Sequence, residues 1–142
     1  MGTARNVVFV CDHGSGKSLI AAEHFRRLAT GRGLDLGATS LGIEPDAEVP
    51  PKVVKGLLED CIDVRGYRPR RLTGEALATA SYVVSFGCDL GALVPPGLRV
   101  ERWDDVPAVR EDFRAVRDLI VARLPRLLAK WEVPPKAPLA QL

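Results

Sequence analysis

The chain has no apolar run near the roughly 20 residues that span a bilayer, so no membrane partner is expected. It has no dominant charge either. Twenty Lys and Arg oppose eighteen Asp and Glu, a net +2, too weak a field to advertise nucleic acid or a lipid surface. Cysteine is scarce: Cys11, Cys61 and Cys88 form an odd, widely separated set, which argues against a disulfide scaffold. Met1-Gly2-Thr3-Ala4-Arg5 runs straight into a strand pattern and leaves no room for a secretory leader, so a cytoplasmic location is expected. There a lone thiol at a loop is more often reactive than structural. No internal repeat is visible. What remains is ordinary for one soluble domain: 142 residues, 46% apolar and 27% charged.

Strand and helix patterns alternate along the chain, the signature of a parallel sheet with helices on both faces. Strands are expected over residues 6–11, 35–41, 82–86 and 98–103. A helix is expected over 16–30, stopped by Gly31-Arg32-Gly33, and another over 52–60 behind Pro50-Pro51. Thr73-Gly74-Glu75 opens a short helix reaching Ala80. A last helix begins near Glu111, with Phe113, Val116, Ile120, Leu124, Leu127, Leu128 and Trp131 in one apolar stripe. Pro125 sits inside that stripe and is expected to kink or shorten the helix. The domain is expected to fill residues 1–132, and 133–142, with three prolines, to form a surface or frayed tail.

The chemistry concentrates where the first strand ends. Val7-Val8-Phe9-Val10-Cys11 is followed by Asp12-His13-Gly14-Ser15-Gly16-Lys17-Ser18. A thiol is thus delivered to a glycine-bearing loop at the positive end of a helix, where backbone N–H groups attract a tetrahedral anion. Such surroundings lower a cysteine pKa from about 8.5 to roughly 3.5–7.5. Gly16-Lys17-Ser18 also invites a nucleotide-binding reading, but that motif needs glycine where this chain has Cys11. Cys11 and His13 alone are too few ligands for zinc.

Counted from Cys11, the spacing is a cysteine, five residues, Lys17 and Ser18. This resembles the low-molecular-weight protein tyrosine phosphatase superfamily, in which a cysteine, five residues, an arginine and a Ser or Thr follow the first strand. Gly42-Ile43-Glu44-Pro45, Ile62-Asp63 and Arg68-Pro69-Arg70-Arg71-Leu72-Thr73 are similar to its thiol-linked arsenate reductase branch, and Trp103-Asp104-Asp105 to its acidic loop. The resemblance implies a three-layer α/β sandwich around four parallel strands in order 2-1-3-4, working without a cofactor. It makes Cys11 the nucleophile and Ser18 the donor that improves its sulfur as a leaving group. Asp12, His13, Gly14, Ser15, Gly16 and Lys17 become the anion-binding loop.

Four departures qualify that reading. Lys17 replaces arginine, a point charge in place of a planar fork. Gly14 replaces the loop asparagine, and Gly16 the second loop cysteine. No Asp-Pro pair supplies the general acid; Asp105 stands first in its place and Asp104 second. His13 is extra, and is open as a proton donor, a substrate-orienting group or a solvated side chain. Phosphate-monoester hydrolysis is expected first, on a small phosphorylated molecule, since Tyr67 and Tyr82 are the only tyrosines available to line a wall. Reduction of arsenate, an inorganic oxyanion, is the alternative. It needs a small thiol, a thioredoxin-type reductant or Cys88 as resolving thiol, although Cys88 also reads as a core cysteine. A non-catalytic anion-binding role is the third expectation.

Overall fold

The β-branched run at the start of the chain forms the central strand, in a computed structural model that describes residues 5–132. Strand β1 (Arg5–Cys11) pairs in parallel with β2 (Leu36–Gly42) on one side and β3 (Tyr82–Ser85) on the other. β4 (Val100–Arg102) adds to β3, so four parallel strands lie in order β2-β1-β3-β4. This is the α/β architecture that the resemblance implied.

Alternation along β1 separates two cores. Val7, Phe9 and Cys11 face the layer of α1 (Lys17–Gly31), α2 (Pro51–Glu59) and α4 (Phe113–Leu128), against Leu19, Phe25, Leu57, Val116 and Ile120. Val8 and Val10 face the other way, toward Leu41, Leu77, Cys88 and Leu90, under the short α3 (Gly74–Ala78). Phe9 meets Phe25 edge-on with ring centroids 5.6 Å apart, and Trp103 at 6.5 Å, so the strand carrying the thiol is clamped by aromatic packing.

Local signals explain most boundaries. Thr73 Oγ1 accepts from the Ala76 N–H at 3.1 Å and starts α3, which ends at Ala78, short of Ala80. Asp112 accepts from the Ala115 N–H at 3.1 Å, which starts α4 at Phe113 rather than Glu111. Pro125 does not end α4, because Leu124, Leu127 and Leu128 are all buried against the sheet and carry the helix one turn past it. Only one main-chain donor is lost there. β4 is shorter than the expected 98–103, being held to three residues of β3. The proline-rich tail expected at 133–142 lies outside the described residues.

Two features of α2 bear on stability. Its C-terminus closes as a Schellman turn, with Ile62 N–H on Leu57 O and Cys61 N–H on Leu58 O, both at 2.9 Å. Cys61 thereby occupies the left-handed position, at φ 64°, where glycine is favoured. Next to it, Asp60 gathers three helices: His24 Nε2 lies 3.3 Å from its Oδ2, Arg117 donates to its Oδ1, and Arg27 donates to its carbonyl. Burial, reinforced by Arg27, holds His24 below its ordinary 6.5, against the opposing pull of Asp60. The neutral ring fits this geometry, with Nε2–H donating to the carboxylate and Nδ1 facing the Arg27 guanidinium.

Cys61→Gly is expected to stabilise the protein by about 1 kcal/mol, by relieving left-handed strain at a solvent-exposed site, as read from denaturant midpoints. A second outcome concerns acid. With a lowered folded-state pKa, the contribution tied to neutral His24 is complete above pH 6.5 and is lost as pH falls below it toward the folded value. Urea titrations between pH 7.5 and 5.5 should show this loss, and His24→Gln should flatten it.

Candidate active site

Cys11 ends β1 on the helix-covered face, and the chain turns beneath it into α1. The turn forces Gly14 to φ 62°, a left-handed conformation that glycine adopts freely and asparagine tolerates. Gly14 also lies backbone to backbone with Gly42 at the end of β2. A Cβ on Gly42 would stand 2.6 Å from Gly14 N, and one on Gly14 would stand 2.8 Å from Gly42 N. From Asp12 to Gly16 no loop N–H donates to a main-chain acceptor among the described residues. These N–H groups, together with the α1 N-terminus, are therefore left free of main-chain partners next to the thiol.

The sulfur is tied into a file of hydroxyls. Cys11 Sγ lies 3.0 Å from Ser18 Oγ, Ser18 Oγ 2.7 Å from Ser40 Oγ, and Ser40 donates to Gly14 O at 3.2 Å. Each hydroxyl has one proton, so the file points one way at a time. With a thiol, the protons run from Cys11 through Ser18 and Ser40 to the carbonyl. With a thiolate, Ser40 must donate to Ser18 and Ser18 to sulfur. Ser40, buried in β2, was missed in the sequence because it looked like an ordinary strand residue.

Cys11 opens into a cavity of about 360 Å³. The loop supplies Asp12, His13, Ser15, Gly16 and Lys17 to its wall; Asp46, Lys52 and the 108–110 segment face them. Lys17 is half-buried, and its Nζ donates to Val106 O at 3.3 Å. Lys52 donates to Arg110 O at 3.0 Å, so two lysines tie the same outer loop to the site. Ser15 donates to Asp46 Oδ2 at 2.6 Å, and His13 Nδ1 lies 3.1 Å from Glu44 O and 3.8 Å from Asp46 Oδ1. A larger cavity, about 520 Å³, separates β4 from α4 but holds no nucleophile. Its Glu101 is occupied by Tyr82 and Trp103.

Three expected residues fall elsewhere. Asp105 is exposed and held in a two-pronged pair by Arg123 of α4, which keeps its carboxyl below the usual range and ionised. Asp104 pairs with Arg102. Neither lines the cavity; Trp103, Val106 and Val109 are the buried anchors of this loop, and they turn Ala108–Arg110 toward Cys11. Cys88 belongs to the opposite face of the sheet from Cys11. Its buried thiol contacts Val10 O and Ser85 Oγ, each at 3.4 Å, and burial pushes its pKa up, which makes it a poor resolving thiol. Asp46, Lys52 and Arg110 were missed. Only the Gly42–Pro45 resemblance pointed near Asp46, and it carried no chemistry.

The site is a cysteine thiol at the end of β1, followed by a glycine-bearing loop and the start of α1. Residues 6–91 match the family described as low molecular weight phosphotyrosine protein phosphatase, and the chain belongs to that family. It is similar to a thioredoxin-dependent arsenate reductase of Corynebacterium glutamicum, at 26% identity and a TM-score of 0.74 over 89% of this chain. The chain spans 61% of that protein's length. An arsenate reductase in a phosphate-binding state shares 26% identity at a TM-score of 0.71, covering 90% of this chain and 99% of its own. A low molecular weight protein tyrosine phosphatase from T. tengcongensis, at 19% identity and 0.70 over 89% and 99%, shares the fold. No curated protein matches the chain.

Gly42→Ala is expected to cost about 1–3 kcal/mol by overpacking, and to abolish the rise in melting temperature that inorganic phosphate should give the unaltered protein. Thermal melts with and without phosphate test both.

Proposed function

We propose that the protein hydrolyses a phosphate monoester of a small molecule through a phosphocysteine intermediate, without a cofactor. The observation that carries this reading is the Cys11–Ser18 contact at 3.0 Å beneath unpaired loop amides. Cys11 thiolate attacks phosphorus, the ester oxygen departs with its electron pair and takes up a proton, and water then splits the S–P bond. Ser18 donates to the sulfur as it leaves. Lys17 exchanges Val106 O for a phosphoryl oxygen; Asp12, His13, Gly14, Ser15 and Gly16 complete the loop. Hydrolysis needs no second sulfur, which agrees with Cys88 lying under the other face. Three free cysteines fit a reducing, cytoplasmic setting, and no described helix is long and apolar enough to cross a membrane.

A second reading is arsenate reduction, favoured by the 26% identity to two arsenate reductases. Cys11 would displace hydroxide from arsenic(V). An external thiol, small or thioredoxin-like, would then attack the Cys11 sulfur, leaving the S–As electron pair on arsenic as arsenite and forming a mixed disulfide. A second thiol equivalent would release Cys11.

Release of phosphate from an aryl phosphate, lost in Cys11→Ser, is the expected result. Arsenate-dependent consumption of a reduced thiol would replace it with the second reading; neither activity, with phosphate still raising the melting temperature, would leave an anion-binding protein. Lys17→Arg should raise the hydrolytic kcat about 10- to 150-fold, the worth of about 1.5–3 kcal/mol for a charged hydrogen bond to the transition state.

A further inference from the structure

The outer loop turns Ala108, Val109 and Arg110 toward Cys11, and Asp105 and Asp104 are occupied by arginines outside the cavity. The loop therefore offers no carboxylic acid to the ester oxygen. Arg110 never releases a proton at working pH. Among the groups on the wall, one imidazole is held in a defined way. His13 Nδ1 lies 3.1 Å from Glu44 O, and a carbonyl can only accept, so Nδ1 carries a hydrogen. Asp46 Oδ1 lies 3.8 Å from the same nitrogen, and its Oδ2 is fixed by Ser15 at 2.6 Å. The main chain holds the pair together as well, since Asp46 N–H donates to His13 O at 3.1 Å. Nε2 has no partner among the described residues, and the side chain, 63% exposed, lines the cavity that holds Cys11.

We infer that His13, positioned through Nδ1 by Glu44 O and Asp46, is the proton donor and acceptor of this site. This rests on the phosphatase reading. In the first step imidazolium Nε2–H gives its proton to the departing ester oxygen as the P–O bond breaks and the S–P bond forms. The neutral ring, still Nδ1-protonated, then presents the Nε2 lone pair to water, takes one proton, and the oxygen displaces sulfur from phosphorus. The proton is restored and Cys11 leaves as thiolate. His13 is a catalytic residue in this scheme and Asp46 a positioning residue, the carboxylate that holds a base in its working tautomer.

The test is a series of aryl phosphates of rising leaving-group pKa, assayed on the whole protein. His13→Gln should lose about 10²–10⁴-fold in kcat on phenyl phosphate, and only a few-fold on dinitrophenyl phosphate, whose anion leaves unprotonated. Added imidazole should restore part of the phenyl phosphate rate. Asp46→Asn, which keeps an acceptor for Ser15, should show the same leaving-group dependence more weakly, and Asp105→Asn none. An equal loss on every ester, no loss, or a leaving-group-dependent loss in Asp105→Asn overturns the role of His13 while leaving hydrolysis intact. A wild-type protein inert to every ester overturns the phosphatase reading and this role together.

Discussion

The site depends on one seam of main chain. Past the ends of β1 and β2 the two segments keep hydrogen bonding: Ile43 N–H to Cys11 O, Glu44 N–H to Asp12 O and Asp46 N–H to His13 O. The carbonyls from Cys11 to His13 are therefore spent on the neighbouring segment, while the N–H groups of residues 12–16 have no main-chain acceptor among the described residues. Gly14 and Gly42 let the two backbones approach closely enough for this, and Gly42 is itself held by Arg70 and Leu72. The shape of this loop is set by backbone geometry and does not depend on the side chain at position 17, where lysine donates to Val106 O.

Beneath the seam, electrostatics and packing act on the same atoms. The aromatic clamp of Phe9, Phe25 and Trp103 fixes the strand that ends in Cys11. The serine file fixes the sulfur itself, from α1 through β2 to the loop carbonyl. On the far wall of the cavity, Lys17 and Lys52 hold the outer loop by its carbonyls.

The strand-to-helix turn was legible because it follows from short-range periodicity: a β run, a glycine turn and a helix start. The sheet order and the Cys11–Ser18 relation came from the family resemblance, not from the pattern. The facing of the outer loop was not legible. Trp103-Asp104-Asp105 looked like a catalytic loop because carboxylates crowded near the expected place, yet a loop's facing is decided by which residues it buries. Here Trp103, Val106 and Val109 are buried, and Arg123 of α4, distant in sequence, draws Asp105 outward. Ser40 and Asp46 escaped for the same reason, since their partners lie 22 and 31 residues away. Pro125 does not stop α4 where it stands: its rule is local, and burial of the leucines around it outweighed one missing donor. The end of α2 was foreseen within a residue, but the strain borne by Cys61 just past it shows only in the backbone angle.

The separation of the sulfurs has a consequence for survival under peroxide. Cys88 lies beneath the far side of the sheet, Cys61 caps α2, and glycine stands at position 16 of the loop. Among the described residues no second thiol lines the cavity into which Cys11 opens, so a sulfenic acid formed there and left uncapped is carried by further oxidant to the irreversible sulfinic state. Protection in an oxidising episode then falls to a thiol from solution, which caps the oxidised sulfur reversibly.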